Sequence, residues 1–351
     1  MSTIIECYNA NTINCKKVDM ILENYTCPDG VKFNNYDFYD MSVSPKYVFG
    51  VCDPGCEKLS TVIPPKRSVS GYASKNLAAS GGTSVMFETD SPTLLILCKM
   101  EEDFSVNNQN IGVAARRGFS VMVRPEKQEW GNLDCYGMRN RFESFFIRTS
   151  EYNDIKNNYT VAINMPIFTT VLEFIVGVEK KSVIKTVDIS RKSPIAFLGT
   201  SATFGAGVTS PSFVISNIIM REKQRECFNF GINEVYYYYQ FLVDQIQKLE
   251  CKTIVLEIAN KNCEINKLTE RLPQFLDKLV YCKNLILWHS PYFEPNDKIR
   301  QEIKKAVEKG AIYLHNKQSD TMLEYSTISA NYINDYGNCL LAKELLPLIE
   351  D

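Results

Sequence analysis

Pro194-Ile195-Ala196-Phe197-Leu198-Gly199-Thr200-Ser201-Ala202-Thr203-Phe204-Gly205-Ala206-Gly207 decides how the second half of this chain folds. Ile195 to Leu198 form an apolar run that leads straight into Gly-Thr-Ser, and small residues with two further glycines follow. A continuous apolar run suits a strand buried on both faces of a parallel sheet. The Gly-rich exit suits a tight turn that leaves Ser201 at the strand's carboxyl end, the edge at which open α/β sheets bind ligands. An ordinary strand–helix turn carrying a serine would read the same way, so the surrounding sequence has to decide.

Downstream, apolar strands alternate with helical patterns, as βαβ units require. Residues 195–198 are the first strand, and Ser210-Pro211 caps a helix with Phe213, Val214, Ile218 and Ile219 on its apolar face. Residues 227–231, 253–258, 285–288 and 311–314 read as four more strands. Helices are expected at 235–249, 268–279, 296–308 and 337–348. The fold class is therefore α/β, with a five-stranded doubly wound parallel sheet in flavodoxin-like 2-1-3-4-5 order.

Upstream the texture differs. Residues 47–51, 84–88, 93–99, 118–124, 141–149, 159–163 and 171–178 are short β segments, several alternating apolar with polar as in Phe119-Ser120-Val121-Met122-Val123-Arg124. Breakers separate them, among them Ala79-Ser80-Gly81-Gly82, Asp90-Ser91-Pro92 and Trp130-Gly131-Asn132. This predicts an antiparallel, jelly-roll-like β-sandwich. The expected division is an N-terminal arm over 1–44 with a short strand at 32–38, the sandwich over 45–184, and the α/β domain over 190–351.

Composition bounds the function. Apolar and charged fractions of 45% and 23% are those of an ordinary globular protein, and a formal charge of −2 gives no reason to expect nucleic acid as partner. Met1 to Cys7 lacks a basic region followed by an apolar core, and no apolar stretch is long enough to span a bilayer, so the expectation is a cytoplasmic chain with no membrane partner. The 12 cysteines are scattered and read as reduced thiols. Cys52 and Cys56 are close enough to suggest a metal, but no second pair completes four ligands, and neither metal nor cofactor is expected. The run Tyr236-Tyr237-Tyr238-Tyr239 points all round a helix, and with no basic patch evident beside it the reading is packing.

With the strands in place, three short motifs carry a resemblance. Gly199-Thr200-Ser201 after strand one looks like the first motif of the SGNH (GDSL-type) hydrolases. Asn229-Phe230-Gly231 after strand two resembles their second, and Asn260 and Asn262 after strand three offer their asparagine. The upstream region is similar to the β-sandwich that precedes one branch of that family. Ala79 to Gly82, Phe87 to Ser91, Gly118 to Val121 and the stretch 159–166 are the matching pieces, and the likeness spans about residues 40–350.

The resemblance implies a serine nucleophile at Ser201. It also implies an oxyanion hole made by the amides of Ser201 and Gly231 with the side chain of Asn260 or Asn262, Asn260 being preferred. The family's Asp-x-x-His pair falls, by the register of Asn334, Asp335 and Gly337, on Ser329 and Tyr332. Tyrosine, with an unperturbed pKa of about 10, does not accept a serine proton at neutral pH, and serine cannot stabilise an imidazolium. The standard triad is therefore absent. The preferred expectation is a degenerate, non-catalytic hydrolase-like protein that binds a small acylated or carbohydrate ligand; a homo-oligomer is left open. The alternative is a serine esterase or acyltransferase in which Ser201 uses another base, for which His289 at the end of strand four stands on the correct edge of the sheet. Thiol chemistry at Cys263 is a third class, weaker because a buried apolar role suits a scattered cysteine better.

Overall fold

In the computed structural model, residues 22–52, 79–101, 112–126, 128–149, 158–232, 235–260, 263–279, 282–291, 293–314, 327–328 and 332–350 are described. The first half builds two antiparallel sheets. Their strands are β1 (Tyr36–Asp40), β2 (Val48–Phe49), β3 (Ser84–Thr89), β4 (Thr93–Met100), β5 (Gly118–Pro125), β6 (Gly131–Gly137), β7 (Phe142–Arg148), β8 (Tyr159–Asn164), β9 (Val171–Glu179) and β10 (Ile184–Lys185), with a short helix α1 (Val113–Arg117) before β5. One sheet runs β1-β9-β4-β7 and the other β10-β3-β8-β5-β6, with β2 paired to β3. Leu94, Ile96, Phe174 and Val176 of the first sheet meet Val85, Phe87, Val121 and Ile163 of the second in one core.

β1 lies inside the segment expected to be an arm, so the sheet begins earlier than residue 45. The reason is on the outer face of the first sheet, where Leu95, Leu97 and Ile175 need cover and receive it from Tyr25, Tyr36 and Phe38. β6 occupies a stretch read as a breaker; it is an edge strand paired only to β5.

The second half is the parallel sheet. β11 (Ser190–Gly199), β12 (Arg225–Gly231), β13 (Thr253–Glu257), β14 (Asn284–Trp288) and β15 (Ile312–Tyr313) stand in the order β12-β11-β13-β14-β15, which is the expected 2-1-3-4-5. The helices are α2 (Ser201–Phe204), α3 (Ile215–Lys223), α4 (Tyr239–Lys248), α5 (Ile265–Leu279), α6 (Asp297–Glu308) and α7 (Asp335–Leu345); β16 (Thr327–Ile328) and β17 (Tyr332–Ile333) pair antiparallel just before α7. The helix expected directly from Ser210-Pro211 instead starts at Ile215, because Pro211–Phe213 is a 3-10 turn whose Ser212 amide is held by the Ser120 hydroxyl at 2.9 Å. Among the described residues no helix is long and apolar enough to cross a membrane.

Alternation along the central strand sends Ala196 and Leu198 to one face and Ile195 and Phe197 to the other. The second face does not end at a helix layer. The core around Ile195 and Phe197 also takes in α3 residues Ile215 and Ile219, α7 residues Leu341 and Leu345, and Met86, Met122 and Ala162 from the back of the second antiparallel sheet. The central strands β3, β8 and β5 of that sheet are thus buried on both sides. Polar ties cross the same boundary: Arg191 donates to the carbonyls of Pro45 and Val48 at 2.7 and 2.8 Å, and the Gly50 amide donates to buried Glu226 at 3.1 Å.

Gly82 shows how close the halves come. Its φ is +81°, and a Cβ there would overlap the Cβ of Asn229 on β12. Gly30, at φ +75°, has open space around it. Gly30→Ala is expected to cost only the backbone term of about 1–2 kcal/mol. Gly82→Ala should lose that plus about 1–3 kcal/mol of overpacking, read as the difference in urea-unfolding free energy between the two variants. Equal losses would show that the halves are not in tight contact at this point.

Candidate functional site

Ser201 stands where the opening stretch put it, at the carboxyl end of β11 and the start of α2. It is 7% exposed. α2 is a single turn closed by Gly205 in the left-handed region at φ +91°. Its position is fixed from beneath by Glu257, the last residue of β13 and fully buried. One carboxylate oxygen of Glu257 accepts the Thr200 hydroxyl at 2.5 Å. The other accepts the amides of Thr200 and Thr203, each at 2.9 Å, and the Thr203 hydroxyl at 2.8 Å. Burial pushes the Glu257 carboxyl above the usual range while these hydrogen bonds hold it back.

Asn260, three residues beyond Glu257, supplies the contact to Ser201. Its Nδ2 donates to Ser201 Oγ at 2.7 Å and to Thr200 Oγ1 at 2.8 Å. The opposite end of the carboxamide, Oδ1, faces the Cys263 thiol at 3.6 Å. Among the described residues, Asn260 Nδ2 is the only group hydrogen-bonded to Ser201 Oγ, and it is a donor. Among the described residues no base accepts the serine proton.

The other expected site residues fall elsewhere. The Gly231 amide donates to Asn229 Oδ1 at 2.8 Å, so it does not face Ser201 as an oxyanion donor. Asn229 is a brace, its Nδ2 reaching the Thr203 carbonyl at 2.8 Å and so tying α2 to β12. His289 lies buried just after β14, with Nδ1 2.9 Å from the Ser290 carbonyl, which requires that nitrogen to carry the proton. Its ring packs by Phe293 and by Tyr313 of β15, on the side of β14 away from β11. His289 is not brought to Ser201. Tyr332 runs beside the loop after α2, where a Cβ on Gly207 would lie 2.8 Å from the Tyr332 Cβ. Asp335 fastens the same loop by accepting the Thr209 amide at 2.8 Å. Asn262, Ser329 and Cys56 lie outside the described residues.

The tyrosine run divides. Tyr236 is core, stacked at 5.1 Å on Tyr237, and Arg271 lies 4.4 Å above the Tyr237 ring with Lys267 at 5.4 Å. A basic pair from α5 is therefore present beside it after all. Sequence reasoning missed Glu257. Its signal is an acidic side chain in the run Ile254-Val255-Leu256-Glu257-Ile258-Ala259, where both faces are buried and a charge demands hydrogen-bond partners.

A carboxyl raised by burial binds its proton more tightly in the native state than in the unfolded chain. Native stability therefore falls as pH rises from about 4.3, the unfolded value, through the higher native one. Glu226 and Asp335 are shifted upwards too, also chiefly by burial. The difference between wild type and Glu257→Gln isolates one proton. Over that window the wild type should lose up to about 1.4 kcal/mol per pH unit more than the variant, measured by urea unfolding across pH. Parallel curves would show that Glu257 does not titrate there.

No family model matches the sequence, and no curated protein matches it. Solved structures do. A protein from Bacteroides ovatus described as a GDSL-like lipase superposes with a TM-score of 0.70 at 16% identity, covering 89% of this chain and 96% of its own. A salicylyl-acyltransferase from a tetracycline biosynthetic pathway gives 0.60 at 14% identity, covering 91% and 100%. A family two carbohydrate esterase from Clostridium thermocellum gives 0.50 at 9%, covering 76% and 90%. At these identities the likeness shows the fold: a GDSL-type α/β sheet preceded by paired antiparallel sheets.

Proposed function

We propose that this protein is a non-catalytic binder built on the SGNH fold, which holds an oxygen atom of a small acylated or carbohydrate ligand at the Ser201 hydroxyl, itself held by the Asn260 amide. The observation that carries this reading is the character of the contact at Ser201 Oγ. A nucleophilic serine needs a partner that takes its proton, and the partner here is an N–H donor at 2.7 Å. The position that the family resemblance gives to histidine holds Tyr332, and His289 faces the Ser290 carbonyl. What the site retains is hydrogen-bond donation, the part of hydrolase chemistry that binds a carbonyl oxygen.

The test is reactivity. Wild type should resist a fluorophosphonate probe and show negligible turnover of p-nitrophenyl acetate. Ser329→Asp with Tyr332→His should raise both by about a hundredfold or more, the usual contribution of a general base. Rapid wild-type labelling that vanishes in Ser201→Ala would overturn the reading. Its further loss in His289→Ala would make the protein a serine esterase or acyltransferase with a relocated base.

A further inference from the structure

Glu257 is wholly buried, and each of the four groups bonded to it is a donor. A strand that needed only filling would carry another apolar side chain here, as at Ile254 and Leu256, because a buried carboxylate is unfavourable unless its hydrogen bonds are complete. The carboxylate does something an apolar residue cannot: it sets a direction.

Thr200 has one hydroxyl proton. When Glu257 is ionised, above its raised pKa, the oxygen 2.5 Å away is acceptor-only and that proton is committed to it. Thr200 Oγ1 then offers only lone pairs to the group 2.8 Å away, so the near end of the Asn260 carboxamide must be its NH2. The Cys263 thiol at the far end agrees, since a thiol donates to Oδ1. One amide proton goes to Thr200, and the second is thereby aimed at Ser201 Oγ. We propose that Glu257 is the positioning residue of this site, acting through Thr200 to present Asn260 to Ser201 as a donor rather than an acceptor, which leaves the Ser201 hydroxyl proton for the ligand. The inference deepens the binding reading above and rests on it for the word ligand; the direction of the chain does not.

The reversed chain is equally well connected. If Thr200 donated to Asn260, the carboxamide would turn its oxygen to Ser201, and the site would select a hydrogen-bond donor such as a sugar hydroxyl. Glu257→Gln should produce that reversal. The Gln oxygen must stay with the two backbone amides, so its NH2 faces Thr200 and displaces the threonine proton towards Asn260.

Protein labelled with 15N only at asparagine reports this directly, the Asn260 side-chain NH2 signal being identified by its loss in Asn260→Asp. In wild type both protons should exchange slowly with solvent. In Glu257→Gln they should exchange about fivefold faster or more, the factor expected for one lost hydrogen bond. Glu257→Asp, which keeps the charge, should stay near wild type. Thr200→Val, which keeps Glu257 but removes the relay, should behave like Glu257→Gln and decides the matter if that variant does not fold. Wild-type signals in both Glu257→Gln and Thr200→Val would overturn the proposal. So would equal acceleration in Glu257→Asp, which would make fit rather than charge the cause. Rapid probe labelling of Ser201 would defeat the non-catalytic reading without moving these amide signals.

Discussion

The central strands β3, β8 and β5 of the second antiparallel sheet have almost no solvent face, and the rest of the molecule is arranged around that constraint. Val85, Phe87 and Val121 point into the core between the antiparallel sheets, while Met86, Met122 and Ala162 point into a core shared with α3, α7 and the parallel sheet. Such strands gain apolar burial on both sides, so the two halves stabilise each other through one layer. It also explains the polar chemistry at the boundary. The buried Ser84 hydroxyl donates to Asn164 Oδ1 at 2.8 Å, while Ser120 bonds Ser212 across the junction at 2.6 Å.

This layering reaches the Ser201 turn. Phe204, three residues after Ser201, packs edge-on against Phe168 at 4.8 Å, and Ala115 and Ile167 complete the same cluster. The turn is therefore pressed from the antiparallel side by aromatic packing and held from the parallel side by Glu257. A short helix with one hydrogen-bonded turn is a weak element alone. Here its geometry is imposed by its neighbours.

Much of this was legible in the sequence because buried parallel strands are written in uninterrupted apolar runs. Residues 195–198 and 253–258 announced the strands, the doubly wound class supplied their expected order, and the Gly-Thr-Ser exit placed Ser201. β6 was missed because Trp130-Gly131-Asn132 read as a breaker, although Asn132-Leu133-Asp134-Cys135 alternates polar with apolar and Leu133 and Tyr136 pack on the core. β1 was assigned to an arm because its value lies in covering Leu95 and Leu97, which only the folded sheet reveals. Gly231 was given a role by motif position, yet the Asn229 side chain two residues earlier occupies its amide. Glu257 escaped notice because its partners, Thr200 and Thr203, are distant in sequence and come together only when β11 and β13 pair.

The carboxylate beneath the serine also has an electrostatic reach. Among the described residues no cation is bonded to it, and the linked path from Glu257 through Thr200 and Asn260 to Ser201 is only three hydrogen bonds long. In a medium of low permittivity, negative charge appearing at Ser201 Oγ is repelled by Glu257 whenever that carboxyl is ionised. An alkoxide there becomes harder to form, and so does any bound group that accumulates charge on its oxygen. On the binding reading proposed above, the site would favour oxygens that are polar yet neutral, a preference written into the end of a neighbouring strand rather than into Ser201 itself.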